Sequence, residues 1–195
     1  GAVNQYPPAQ TAPNVCEDIS GENCSTVQAL TFDNASASNT FDLGTYCQYC
    51  QDSAISPDGT KLAVLLRENS RRKNSHVIFS EDEGKTWTVP RELPLSLTGD
   101  RHTGKYSADG RLLISFRCNS PTASRKSRPY EGDWVAWVGT WDDIVHGRNG
   151  QYSVRFKDNT KGYDTTYPGV EVLPDDTFVV TTYGHWTQGE EPYIL

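Results

Sequence analysis

Apolar positions along most of the chain come in short runs that end at Gly, Pro, Asp or Ser, as in Leu62-Ala63-Val64-Leu65-Leu66, Leu112-Leu113-Ile114 and Phe178-Val179-Val180. Runs of this kind, rich in β-branched residues and bounded by turn formers, predict buried strands rather than amphipathic helices. Residues 1–27 differ: they are rich in Pro, Gln, Asn and Ser, lack apolar periodicity, and predict an extended N-terminal arm ahead of a β-domain over 28–195. Within that domain a hairpin recurs. Ser56-Pro57-Asp58-Gly59 leading to Arg67, Ser107-Ala108-Asp109-Gly110 leading to Arg117, and Leu173-Pro174-Asp175-Asp176 leading to Tyr183 each join a tight turn to an apolar strand. The turn aspartates lie 51 and 66 residues apart. Repetition at that period in an all-β chain predicts β-propeller blades, each a four-stranded antiparallel sheet. A β-sandwich with coincidentally similar turns is the alternative.

Composition narrows the class. The chain of 195 residues is 35% hydrophobic and 11% aromatic, enough to build a core, and its 16 glycines and 11 prolines suit turns. It has no run of eighteen apolar residues, so no membrane association is expected. A formal net charge of −7 gives phosphate backbones no attraction, so nucleic acid is not an expected partner. The chain begins at Gly1 and contains no Met, which predicts a processed or fragmentary product. Cys16 and Cys24 could close a short loop, and Cys47-Gln48-Tyr49-Cys50 lacks the second pair that a zinc site needs. Structural disulfides in a secreted or periplasmic protein are expected instead, and neither metal nor cofactor. The Asn23 and Asn34 glycosylation triplets are compatible with export.

A blade takes roughly 40 to 50 residues, so the chain holds about three to four, too few to close a ring. Remaining blades from the same parent chain or from other copies are therefore expected partners. The innermost strand of each blade lines the propeller channel, so equivalent repeat positions converge. Gln51 and Asp52, Arg101 and His102, and Tyr167 precede the three turns, while Arg67, Arg117 and Tyr183 end the strands that follow. Together they would place acids, bases, phenols and guanidiniums around one axis. Plainer readings stand beside these: Arg67 with Glu68 as a rim ion pair, His102 bracing a turn, Tyr167 as a core tyrosine. For Arg117, a guanidinium beyond an apolar strand requires an anion, which predicts a ligand carboxylate.

Ser80-Glu81-Asp82-Glu83-Gly84-Lys85-Thr86-Trp87 fits the pattern S-x-D-x-G-x-x-W, the Asp-box. With it, the stretch from about Tyr46 onward resembles the later half of a sialidase-type Asp-box β-propeller. The resemblance implies that Tyr167 is a nucleophile and that Arg67 and Arg117 belong to an arginine triad gripping a sugar carboxylate. It implies an exo-sialidase-like glycoside hydrolase acting on an acidic sugar or polysaccharide. The family's activating glutamate would fall where this chain has Gln51, which cannot act as a base, followed by Asp52. The family's first arginine and its acid/base aspartate belong to an earlier stretch not found in this chain. His102 resembles instead the histidine of propellers that cleave uronate polysaccharides, where it or Tyr167 would remove a proton while an arginine holds the uronate. A uronate-directed lyase or rhamnosidase-like propeller is thus the second reading, and a glycan-binding or structural propeller without catalysis the third.

Overall fold

The computed structural model describes residues 52–125 and 128–195, with side chains described from Ser56 onward. The N-terminal arm, the sequons, Gln51 and every cysteine but Cys118 lie outside the described residues.

The chain is all-β and built from successive antiparallel meanders of propeller type. In the first sheet, β1 (Asp52–Ile55), β2 (Leu62–Leu66), β3 (His76–Ser80) and β4 (Arg91–Glu92) pair in chain order. The second repeats the order with β5 (Gly99–Tyr106), β6 (Leu112–Cys118), β7 (Trp134–Gly139) and β8 (Tyr152–Lys157). A third begins with β9 (Gly169–Val172) against β10 (Phe178–Thr181), and β11 (Tyr183–Gly184) pairs with β12 (Tyr193–Ile194). Since Thr182 exchanges backbone bonds with Leu195 (3.0 and 2.9 Å), β10 and β11 form one nearly continuous strand. The first strands stand side by side, β5 against both β1 and β9, as inner strands around an axis do.

The three repeated turns occupy the same place, between the first and second strand of each sheet. Each needs a residue at positive φ: Gly59 (75°), Gly110 (85°) and, in the third, Asp176 (67°). A serine-aspartate pair ties down the first two, Ser56 donating to Asp58 (2.6 Å) and Ser107 to Asp109. The Asp-box uses the same device between β3 and β4. Ser80 Oγ donates to Asp82 (2.8 Å) and accepts from Gly84 N (2.8 Å), while Asp82 accepts from Thr86 N (2.8 Å) and Thr86 Oγ1 (2.6 Å). Asp82→Ala therefore removes an anchor at an accessible turn and is expected to lower stability by about 1–2 kcal/mol, measured by urea unfolding.

Strand β6 shows why its apolar run is unbroken. It is buried on both faces between neighbouring sheets, so alternate residues serve different cores. Ile114, Phe116 and Cys118 join Ala63, Leu65, Val77 and Trp137 on the side of the first sheet. Leu113, with Ala136 and Val138 of β7, meets Val170 of β9 on the other. One short helix, α1 (Trp141–His146), links β7 to β8; Thr140 and Asp143 form a capping box at its start and Gly147 at φ 66° ends it. Arg91 reaches its last turn, donating to Ile144 O (2.7 Å).

Candidate functional site

The first hairpins of the second and third sheets carry matching β-bulges at the end away from their turns. In the second, Asp100 pairs with Arg117 and Thr103 with Ser115, so Arg101 and His102 together oppose Phe116. In the third, Thr166 N bonds Tyr183 O and Gly169 pairs with Thr181, so Tyr167 and Pro168 together oppose Thr182. Arg101 and Tyr167 thus occupy equivalent bulge positions. Two non-glycine residues take the left-handed conformation here, Arg101 within its bulge at φ 62° and the β-branched Thr166 just before the other at φ 66°. Such strain persists where surrounding structure imposes it, and it concentrates at functional sites, as do bulges.

The bulge also separates two side chains that alternation alone would leave ambiguous. His102 turns inward: it is 1% exposed, stacks on Phe116 with ring centroids 4.8 Å apart, and sets Nε2 3.2 Å from Leu97 O. The sequence expectation of a catalytic or turn-bracing histidine gives way to a core histidine. Arg101 turns the other way. Its Cζ lies 3.5 Å from the Tyr167 ring centroid, and Nη1 donates to Thr165 O (3.3 Å). Tyr167 is half-exposed and stacks on Tyr183 at 5.9 Å and 18°.

Beside this stack lies a cluster of arginines organised by a carboxylate that sequence reasoning did not single out. Asp100, fully buried, takes Arg71 Nη1 and Nη2 (2.8 and 3.1 Å), Arg117 Nη2 (2.6 Å) and Asn119 Nδ2 (2.7 Å). Arg67 Nε stands 3.8 Å from the same carboxylate and donates to Asn69 (2.5 Å). Burial alone would raise the Asp100 pKa, but the Arg71 and Arg117 guanidiniums more than offset it and hold the group at about 2. The anion expected for Arg117 is therefore supplied first from within the chain. Arg117 also donates to the carbonyls of Tyr163 and Thr165, and since Arg101 uses Thr165 O as well, the arginine cluster and the tyrosine stack form one site.

Glu68 is bonded to the backbone of its own loop. Its carboxylate accepts from the backbone N–H of Ser70 (2.9 Å), Arg72 (2.9 Å) and Lys73 (3.3 Å), folding the loop that presents Arg71 at φ 57°. On the far side, Tyr183 Oη donates to Asp164 (3.1 Å), whose other oxygen lies 2.9 Å from His185 Nε2. The His185 bond is the main reason that the Asp164 carboxyl is held below the usual carboxylate range. Burial, then Asp164, pushes the Tyr183 phenol up.

Of the residues expected from the sequence, the structure brings together Arg67, Arg117, Arg101, Tyr167 and Tyr183, and sets His102 apart. Asp52 pairs its backbone with Leu65, and Gln51 lies outside the described residues. Asp100, Arg71, Asn119 and Asp164 are additions. The signal available for Asp100 was charge balance, because arginines ending two adjacent inner hairpins call for a buried acid near both. Among the described residues, no group of three His, Cys, Asp or Glu is placed to hold a metal.

No family model matches the chain, and no curated protein matches it. Its fold is similar to that of a protein of unknown function from Dyadobacter fermentans, at 17% identity and a TM-score of 0.56, covering 73% of this chain and 35% of that one. It is also similar to the leech intramolecular trans-sialidase, solved in complex with 2,7-anhydro-Neu5Ac, at 19% identity and a TM-score of 0.44, covering 71% of this chain and 22% of that one. The chain spans about a third of the Dyadobacter protein's length, and at this identity the likeness is one of fold.

Proposed function

We propose that the bulged ends of the inner strands bind an acidic sugar, and that the chain is part of a carbohydrate-active propeller hydrolysing glycosides of such sugars. One observation carries this reading. Among the described residues Arg101 makes no ion pair, yet it is partly buried, strained in backbone, and laid over a half-exposed tyrosine. Its burial and the neighbouring Arg117 charge both work against its own charge, and a carboxylate arriving from solvent would relieve both. Arg67, Arg71 and Arg117 lie within ion-pairing distance of the Asp100 carboxylate, and the Arg101 charge is close enough to that of Arg117 to be opposed by it.

In this reading Arg101 and Arg117 align the sugar acid, and the Tyr167 oxygen attacks the anomeric carbon as the glycosidic bond breaks, its phenol proton passing through water to the leaving alcohol; on a uronate the Tyr167 phenolate instead takes the proton next to the carboxylate as the C–O bond to the leaving sugar breaks. The buried His102 takes no part. Binding without turnover is a second reading, favoured by Gln51 at the position of the family's activating glutamate.

Titration with sialic acid, glucuronate and the neutral sugar glucose tests the proposal. Both acids should bind more tightly than glucose. Arg101→Ala should weaken acid binding by about 1.5–3 kcal/mol, the range for a charged hydrogen bond, while Arg148→Ala, at an exposed arginine paired with Asp142 and Asp143, should change it by under about 0.5 kcal/mol. Equal affinity for acid and neutral sugars, or equal effects of the two substitutions, would overturn it. Turnover of a sialoside reporter separates hydrolysis from binding alone.

A further inference from the structure

Among the described residues a second arginine is buried without an ion-pair partner, and it lies away from the sugar site. Arg128 is 6% exposed and is wedged beneath the loop that leads into β5. Its Nη1 donates to Leu95 O and lies 3.4 Å from Thr98 O, and its Cζ sits 4.9 Å from the Tyr130 ring centroid. Its Nη2 is buried with no hydrogen-bond partner, and among the described residues no carboxylate lies within ion-pairing distance of it. A guanidinium cannot shed its proton to escape this cost, so the burial must be offset by another group.

The guanidinium lines a pocket of about 130 Å³ that also takes in Ser96, Tyr130, Ser153 and Arg155. Arg155 is committed to Asp133 (2.6 Å) and Asp158 (3.1 Å), so among the described residues Arg128 is the pocket cation without a counter-charge. Ser153 and Arg155 are exposed and give the pocket an open side. Its volume is roughly that of four water molecules, which suits a compact oxyanion.

We propose that this pocket is an anion site in which the Arg128 guanidinium receives an oxygen of a carboxylate, sulfate or phosphate group, with the Ser153 and Tyr130 hydroxyls as further donors. The shared chemistry is a small oxyanion, and its source is what the ligands below distinguish. The proposal is independent of the acidic-sugar reading, since none of its lining residues belongs to that site.

Acetate, sulfate and phosphate are titrated separately into the full chain at constant ionic strength, following the ¹⁵N side-chain resonance of Arg128. At least one should shift it saturably at millimolar concentration. Arg128→Gln, read by calorimetry, should weaken that binding by roughly tenfold or more. Should Arg128→Gln fail to fold, Ser153→Trp fills the open side, leaves the guanidinium and its carbonyl bonds in place, and should abolish the shift. Preference for acetate would assign a carboxylate ligand, and preference for sulfate or phosphate a tetrahedral one. The absence of saturable binding by all three, or a response unchanged by Ser153→Trp, would overturn the site. Sulfate stabilises proteins generally by exclusion, so non-saturating stabilisation shared by both variants counts against it.

Discussion

Asp100→Asn is expected to lower the stability of the chain by about 3–5 kcal/mol at neutral pH, because it removes the single charge around which Arg71, Arg117 and the nearby Arg67 are packed. An asparagine keeps the shape but offers one acceptor where the carboxylate offered two, and it turns an amide N–H toward a guanidinium. The pH dependence supplies a second measure. The Asp100 pKa is depressed to about 2 in the folded chain and stands near its ordinary value of about 3.9 when unfolded. A depressed carboxylate contributes stability that is fully present above the unfolded pKa and is lost as pH falls through the folded one. The lost contribution, at about 1.4 kcal/mol per unit, is roughly 2.5 kcal/mol between about pH 4 and pH 2. It is smaller than the substitution cost because protonation leaves a hydrogen-bonding group in place. Glu68 is also depressed, with bonds from Ser70, Arg72 and Lys73 outweighing its burial, so the wild type loses stability in acid for more than one reason. The difference between the two urea-unfolding curves across pH 2–6 isolates Asp100. A variant within about 1 kcal/mol of wild type at pH 7, with an unchanged acid limb, would show that the arginines are held by something other than this carboxylate.

The blade repeat was legible because it is local. A turn aspartate, a residue at positive φ and an apolar run leave the same trace three times, and the structure sets all three between the first and second strands of a sheet. The channel-side ends of those strands were only half legible. Counting from the turns grouped Arg101, Tyr167, Arg117 and Tyr183, which lie near one another in the fold, but a count cannot see a bulge. At Arg101 and His102 the inserted residue resets the alternation, sending one side chain to Tyr167 and the other to Phe116. Asp100 was passed over for a different reason. Whether a strand-end arginine meets an internal acid or awaits a ligand depends on which loop crosses it, and the loop bearing Arg71 comes from a different sheet. Helix α1 carries its signal in Thr140-Trp141-Asp142-Asp143, a short cap easily lost between two long β-rich stretches.

Phe116→Ala is expected to cost about 3–5 kcal/mol, and its coupling to His102 discriminates a core histidine from a catalytic one. Phe116 is fully buried in the cluster between the first two sheets, opposite the bulge, and the His102 ring lies on it at 28°. Truncation leaves a ring-sized void that neighbours such as Trp137 and Leu65 can close only in part. His102→Ala should also destabilise, through its lost stacking and its contact with Leu97 O, although the affinity for acidic sugars should hold in conditions where the variant stays folded. In the double variant the two costs should fall short of additivity by about 0.5–1.5 kcal/mol, the range for a stacked ring pair, because either truncation alone already removes the contact. Chemical unfolding of the four proteins provides the cycle, and acid-sugar titration of the folded ones provides the control. Were His102→Ala to leave stability unchanged while abolishing binding or turnover, the histidine would belong to the site after all, and the division of labour imposed by the bulge would be wrong.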